Sequence, residues 1–441
     1  MKNKPAQTKR HFIDGKTIVG IDPAKDKHQA IAINDKGDPL GSSFTFKHNY
    51  LGFHITLFKK LKERINDIDP EQVVFAVEIS INFWQKLCQF LHQKGFTVLM
   101  ISPLATKHER PKMSRSFSKT DPKDALAIAN IARQGYFNFY KEYSDQVQAM
   151  HRYSLTYDKI TKDIKRIKQR IRAQVELLFP EFLDVVGLDT DTARHLLSRF
   201  ISKDDFLNIN LFTEVIEVRK KSRNQYDLKH LKELKQKARE SIGLSIKNEA
   251  YIAERLTMTA WLETLGVLSE QRKIILNELV NMAQQSPFFE IITSIKGISN
   301  ISAARFMAET RELGEFHHAK QIEVLAGINL KLSDSGRYSG YRRITHIGNH
   351  RLRAIIYKMS EEAKNYIPEV RIRFIKRQLK RGLYTKNVIA VSSNMLKLLM
   401  ALIRENRLYQ ENPDTKKELE TVWEPKYKEH KNKKKKIKKA A

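Results

Sequence analysis

One cysteine, Cys88, is all that 441 residues contain, so no internal disulfide framework exists and a reducing cytoplasm is expected. Cys88 sits in "FWQKLCQFL", an apolar helix face, and reads as core. No Cys/His cluster has zinc spacing. No Walker loop and no GxGxxG is present, which argues against a P-loop nucleotidase or a dinucleotide-binding enzyme. No apolar run approaches the length that spans a bilayer, and "MKNKPAQTKRHF" lacks the apolar stretch of a signal peptide. Acid is also scarce: 50 Asp and Glu stand against 80 Lys and Arg, a net charge of +30. That excess calls for a polyanionic partner, and nucleic acid is the usual one.

What is present is a folded chain of two or three domains, 41% hydrophobic. "TIVGID", "HQAIAIN" and "PLGSSFTF" read as three antiparallel strands, with "DKGD" as a turn. Residues 50–65 have helical spacing, "EQVVFAVEIS" is a buried strand, and "NFWQKLCQFLHQKG" is a helix stopped by Gly95. "FTVLMIS" is a further strand. The pattern is α/β with a mixed sheet, over residues 16–140, after a basic extension at 1–15. From 141 to 287 the signal is helical. Ile160, Ile164, Ile167, Ile171 and Val175 step by fours and threes along one face, and a second long helix runs through 246–285. The two are expected to pair as an antiparallel hairpin; 180–245 has no clear pattern. A mainly α unit spans 288–422. The lysine-rich tail, 423–441, reads as low-complexity and disordered.

Carboxylates end two strands: Asp22 in "VGIDPAK" and Glu78 in "FAVEIS". Ligands gather where strand ends meet loops. In "SKTDPKDALAIANIA", Asp121 and Asp124 lie three apart at a helix start, so both can face one way. Capping accounts for part of this, since Asp121-Pro122 suits the N-cap and first helical positions. Four acids in one place repel unless a cation sits among them, and Mg²⁺ takes such oxygen ligands beside phosphates. The stretches "GIDPAKDKHQAIAI", "AVEIS" and "SKTDPKDALAIA" resemble the RuvC-like, ribonuclease-H-like N-terminal domain of the DEDD insertion-sequence transposases, a family that includes Piv-type DNA invertases. The resemblance implies that Asp22, Glu78, Asp121 and Asp124 are catalytic ligands of Mg²⁺ or Mn²⁺. It departs in one place: "EISINFW" stands where the family has Ala-Thr-Gly after its Glu.

A second stretch, "LAGINLKLSDSGRYSGYRRITHIGNHRLR", resembles the family's C-terminal transposase domain. Ala326-Gly327, Ser335-Gly336 and Gly348-Asn349 with Arg353 match its pattern, which implies that Ser335 is the nucleophile. A serine needs exposure, backbone freedom and nearby positive charge for that task; Gly336, Arg337, Arg342 and Arg343 meet the last two needs. Ser-Asp-Ser-Gly is also ordinary turn chemistry. "IITSIKGISNISAARFMAE" resembles a helix-hairpin-helix, with Lys296 and Ser299 in place of the family's proline and second glycine.

Lys107, Arg110, Lys112, Arg115 and Lys119 precede the acid pair and read as a phosphate-tracking loop, and Arg337, Arg342, Arg343, Asn349 and Arg353 as further nucleic-acid contacts. "VRIRFIKRQLKRGLYTK" is a basic helix with Phe374 and Tyr384 interleaved. The expected protein is a transposase that cleaves and rejoins double-stranded DNA at element ends and target, cytoplasmic and nucleoid-associated in a prokaryote, with no membrane partner. The resemblance further implies a structured guide RNA (a bridge RNA) and a homo-oligomer, dimer or tetramer, in which one subunit's RuvC-like domain meets another's serine domain. A RuvC-type nuclease on branched DNA, a site-specific invertase and a non-catalytic binding protein are the alternatives.

Overall fold

The computed structural model describes residues 4–80, 82–113, 120–331, 334–335, 338–339 and 343–440. The chain divides into two compact units, Met1–Tyr143 and Ser144–Ala441.

In the first unit the elements run α1 (Lys4–Ile13), β1 (Thr17–Asp22), β2 (Lys27–Ile33), β3 (Phe44–Lys47), α2 (Leu57–Lys62), β4 (Val73–Glu78), α3 (Phe83–Gln93), β5 (Thr97–Ile101), α4 (Pro103–Met113), α5 (Asp121–Arg133) and β6 (Asn138–Phe139). They build one six-stranded sheet in the order β3-β2-β1-β4-β5-β6. β2 runs antiparallel to β1, whereas β4 and β5 run parallel to it. This is the mixed α/β sheet of the ribonuclease-H and RuvC type. β4 is buried at every position, as a central parallel strand covered on both faces must be.

Strand alternation sorts the core into two layers. Val19, Ile21, Phe75, Val77 and Val98 face one cluster with Leu87, Cys88 and Leu91 of α3. Ile18, Val74, Ala76, Leu99 and Ile101 face the other, with Ile128 and Ala129 of α5. Cys88 is fully buried and its thiol is pushed up to about 12 by that burial, in keeping with a core role. Gly20 lies on the α5 side. A Cβ there would run into the Ala125 carbonyl oxygen and come within 2.8 Å of Ala129, so glycine lets the helix lie directly on β1. Gly20→Ala is expected to destabilise this unit by about 3 kcal/mol through overpacking, read as a fall in its denaturation midpoint; an unchanged midpoint would contradict so close a crossing.

On the opposite face the His28 ring is buried against Phe46 and Phe53. The Ala24 N–H donates to its Nδ1 (3.2 Å), so its proton is on Nε2, which donates to His48 Nδ1 at 2.8 Å. Burial, with His48 beside it, brings the His28 pKa down to about 4. Between pH 6.5 and 4 the unfolded chain therefore binds the proton that the folded chain refuses. Stability is expected to fall as pH falls across that window, by about 3 kcal/mol from this group. Comparing urea midpoints of the native chain and His28→Gln at about pH 7 and about pH 4.5 checks this, since the variant should lose less on acidification.

The second unit opens with α6 (Asp145–Leu178), followed by short helices α7 (Phe182–Val185), α8 (Asp191–Arg199), α9 (Lys203–Leu207), α10 (Leu211–Ser222) and α11 (Leu228–Arg239), then α12 (Asn248–Gln284). α6 and α12 pack along each other. Gln146 reaches Gln285 at one end and Gln174 reaches Glu254 at the other, so the pair is antiparallel, as the heptad-like spacing anticipates. The Ile160–Val175 stripe enters a core with Phe182, Leu196, Phe206, Leu231 and Met258. Residues 180–245, without a clear pattern in sequence, supply the short helices that cap this core.

α13 (Pro287–Thr293), α14 (Asn300–Thr310), α15 (Ala319–Ala326), β7 (Leu330–Lys331), β8 (Asp334–Ser335), β9 (Tyr338–Ser339), β10 (Arg343–Ile344), α16 (His350–Tyr366), α17 (Pro368–Arg381), α18 (Tyr384–Glu405), α19 (Pro413–Glu418) and α20 (Glu424–Ala440) complete the chain. They surround a second core. α18 is long and apolar enough to cross a membrane, contrary to the reading of the sequence, but its Val388, Val391, Met395, Leu396 and Leu399 are fully buried in this core. The disorder expected of 423–441 is also corrected. α20 is helical, anchored by buried Tyr427 and by the Arg371–Glu424 ion pair at 2.6 Å.

Candidate active site

The carboxyl ends of β1 and β4 carry Asp22 and Glu78. Gly20 pairs with Ala76 and Ile21 with Val77, so the next step along both strands brings the two acids side by side. Both fall on the α5 face, two residues beyond Gly20 and Ala76 respectively. The direction of α5 follows from its far end: Arg10 of α1 donates to the Gln134 carbonyl at 2.9 Å, placing the end of α5 beside the element that precedes β1. α5 thus runs against β1, and its first turn, with Asp121 and Asp124, lies at the end where Asp22 and Glu78 stand. Acids from three segments, the ends of β1 and β4 and the first turn of α5, thus lie toward one end of the sheet.

Within that group Asp124 is 1% exposed and Glu78 7%, whereas Asp121 is open to solvent. The helix starts one residue earlier than capping by Asp121 would require. Thr120 holds the extended N-cap position without a side-chain bond, and Asp121 is the first helical residue. Both acids lie in the first turn, where the helix dipole favours negative charge.

All four donors are hard oxygens, the type Mg²⁺ prefers, and two are buried, so the residues fit such an ion. Among the described residues no three His, Cys, Asp or Glu side chains draw close enough to enclose a metal. The arrangement is an acidic sheet end, open on one side, and not a closed cage. Mg²⁺ keeps several waters and is commonly held by one or two carboxylates together with substrate phosphate, so a cage is not required.

Of the basic residues ahead of this helix, Lys107 is exposed on α4, which continues as helix to Met113 where a loop was expected. Arg110 and Lys112 are helical in backbone; Arg115 and Lys119 lie outside the described residues.

Ser335 lies between α15 and α16, in the two-residue strand β8, paired antiparallel with β9 so that Ser335 stands opposite Tyr338. Gly336, Arg337 and Arg342 lie outside the described residues, and Arg343 is exposed on β10. Below them β7 pairs with β10, and Thr345 closes the ladder onto Asn329 through a backbone bond of 2.9 Å and a side-chain bond of 2.8 Å. Gly327 has φ +67, and a Cβ there would stand 2.7 Å from the Ile347 carbonyl oxygen, which explains the glycine of "LAGI".

Asn349 and one guanidinium nitrogen of Arg353 are engaged inside the chain. Asn349 caps α16, accepting from the Arg351 and Leu352 N–H groups, and donates to Glu309 at 2.6 Å. Arg353 donates to the Ala326 carbonyl at 2.8 Å. At the turn resembling a helix-hairpin-helix, Gly297 has φ +92 and packs on Tyr366, whose ring lies 2.5 Å from where a Cβ would be. In the basic helix α17, Phe374 is fully buried; it is a core residue rather than an aromatic offered to nucleic acid. Tyr384 is 45% exposed, with its hydroxyl bonded to Glu361. Glu309, buried against Asn349 and Arg351, was not among the expected site residues, because a single Glu in a helical stretch carries no sequence signal.

A ribonuclease-H-like sheet with acids at its central strand ends and on the crossing helix, in a chain that also carries a serine hairpin, defines a class: enzymes that act on nucleic-acid phosphodiesters. Comparison with known proteins agrees. Residues 19–180 match a DEDD family model described as transposase, and residues 289–373 match that of the transposase IS116/IS110/IS902 family. The chain is 23% identical to the insertion element IS116 uncharacterized 44.8 kDa protein of Streptomyces clavuligerus, over 90% of this chain and 96% of that protein. It is 22% identical to the insertion element IS900 uncharacterized 42 kDa protein of Mycobacterium paratuberculosis, over 89% and 96%. To the insertion element IS110 uncharacterized 43.6 kDa protein of Streptomyces coelicolor it is 20% identical, over 66% and 72%. The chain belongs to the IS110/IS116 family of DEDD insertion-sequence transposases, enzymes of DNA transposition.

Proposed function

We propose that this transposase cleaves and rejoins DNA through Ser335, with a divalent ion held by Asp22, Glu78, Asp121 and Asp124. What supports the reading is that acids from three separate segments, the ends of β1 and β4 and the first turn of α5, lie toward the same end of the sheet. In the step envisaged, the Ser335 Oγ bonds to phosphorus and the bond from phosphorus to one sugar oxygen breaks. The serine proton leaves to solvent or a nearby base, and the departing oxygen takes up a proton. Because one phosphodiester replaces another, the reverse attack by a different strand's hydroxyl rejoins DNA without an external energy source. When bound, Mg²⁺ or Mn²⁺ supplies charge to polarise the phosphate. Asp22, Glu78, Asp121 and Asp124 would hold that ion.

The net charge of +30 suits long duplex DNA and a structured guide RNA from the same element as partners. Joining strands from element ends and target further calls for more than one subunit. Chelation with EDTA is expected to stop strand cleavage while leaving DNA retention on a gel shift, and added Mg²⁺ is expected to restore cleavage. Cleavage that persists in EDTA would sink the metal assignment.

A further inference from the structure

The buried carboxylate of Glu309 has no part in the chemistry just described, yet it gathers donors from two other helices, among them Asn349, where the chain returns from the segment that carries Ser335. Glu309 is 3% exposed. Ser154 of α6 donates to Oε1 at 2.8 Å, Arg351 Nε of α16 donates to the same oxygen at 3.0 Å, and Asn349 Nδ2 donates to Oε2 at 2.6 Å. Burial alone would raise its pKa, but these three hydrogen bonds and the Arg351 charge outweigh it and hold the group below the usual carboxylate range. Asn349 is the N-cap of α16 and the first residue after the chain has returned from the hairpin. Its own N–H donates to the Leu325 carbonyl at 2.7 Å, on the outgoing side. Glu309 therefore fixes one residue that pins both legs of the hairpin.

We infer that Glu309 is a positioning residue for Ser335: through Asn349 and Arg351 it locks the base of the segment 327–349 to α6 and α14, so that the serine carried by that segment is presented in one place. The inference rests on Ser335 being the nucleophile, although the clamp itself stands on the contacts alone. A serine whose base is free to sway loses the alignment on which attack at phosphorus depends. A carboxylate is suited to the task because Asn349 and Arg351 offer it only donors. Glu309→Gln places an NH₂ group among those donors and leaves at least one of them unmatched.

The test uses the full-length protein with duplex DNA carrying its own element ends and RNA transcribed from that element. Hydrogen exchange is followed without DNA, and cleavage with it. E309Q is expected to speed amide exchange over 327–349 by about tenfold while amides of 352–363 are unchanged, and to slow cleavage by a similar factor with DNA affinity retained. In the double variant E309Q/N349D the donor and acceptor are exchanged: the carboxylate introduced at position 349 still caps α16, and the amide introduced at position 309 donates to it. The double variant should recover both measurements, an outcome that a general loss of packing would not give. If E309Q does not fold, Arg351→Gln, which removes only a half-buried donor, should show the same pattern at smaller size. Unchanged exchange over 327–349, or a double variant no better than E309Q, overturns the clamp. If instead Ser335→Ala still cleaves, the nucleophile reading fails, and the exchange measurement alone still decides whether Glu309 holds the hairpin.

Discussion

Ser335→Ala is expected to abolish covalent strand cleavage, with a loss on the order of 10⁴-fold or more, while DNA binding and the melting profile stay as they were. The size follows from chemistry: once Oγ is gone no phosphoserine link can form at this position, and residual turnover reflects binding alone. The neutrality toward folding follows from position, since β8 and β9 are two-residue strands whose ladder is built from backbone groups that the substitution leaves in place. Ser333 and Ser339 provide a control. The same change at either should leave cleavage within a few-fold of the native rate if the register of "SDSG" is read correctly. A Ser335→Ala protein that still nicks DNA at full rate would leave a metal-activated water as the nucleophile.

Asp124→Asn is the second large effect. The replacement keeps the volume and removes the charge from the most buried of the four acids. Loss of one ligand charge at a metal-assisted phosphoryl transfer is worth several kcal/mol of transition-state stabilisation, so cleavage should fall on the order of 10³-fold and the Mg²⁺ requirement should rise. If its main task is to hold the ion, stability should move by no more than about 2 °C, since the replacement keeps the volume of the side chain. A structural aspartate would behave in the opposite way, costing stability and sparing cleavage. Measuring both on one preparation separates the two, and a strongly destabilised but active D124N would count against the metal role.

Most of the first unit was legible because β-strands announce themselves through short apolar runs closed by turns, and β1 to β5 stand where those runs lie. β6 is two residues long and polar-aromatic, too short to leave a pattern. The helix pair α6 and α12 was legible for a similar reason, a repeat of Ile and Val at helical spacing. Residues 180–245 were not, since each of their helices buries only a few side chains and the core they make with Phe182, Leu196 and Leu231 is assembled from distant pieces. The lysine tail shows how composition misleads. One buried tyrosine and one ion pair give helix α20 a foothold that a count of lysines hides. At the site, the spacing of Asp121 and Asp124 pointed to the start of a helix, and both stand in the first turn of α5, but Gly20, which allows α5 to reach the strand, looks in sequence like any glycine in a strand. Phe374 illustrates the converse error, an aromatic among basic residues whose ring belongs to the core.

The measurement that bears most directly on the serine chemistry is mass spectrometry of the protein after reaction with element-end DNA in Mg²⁺ and denaturing quench. A nucleotide adduct is expected on the peptide containing Ser335, present in the native chain and missing from Ser335→Ala. An adduct mapped to any other residue, or efficient cleavage with no protein-linked DNA at all, would contradict the assignment of Ser335 as nucleophile.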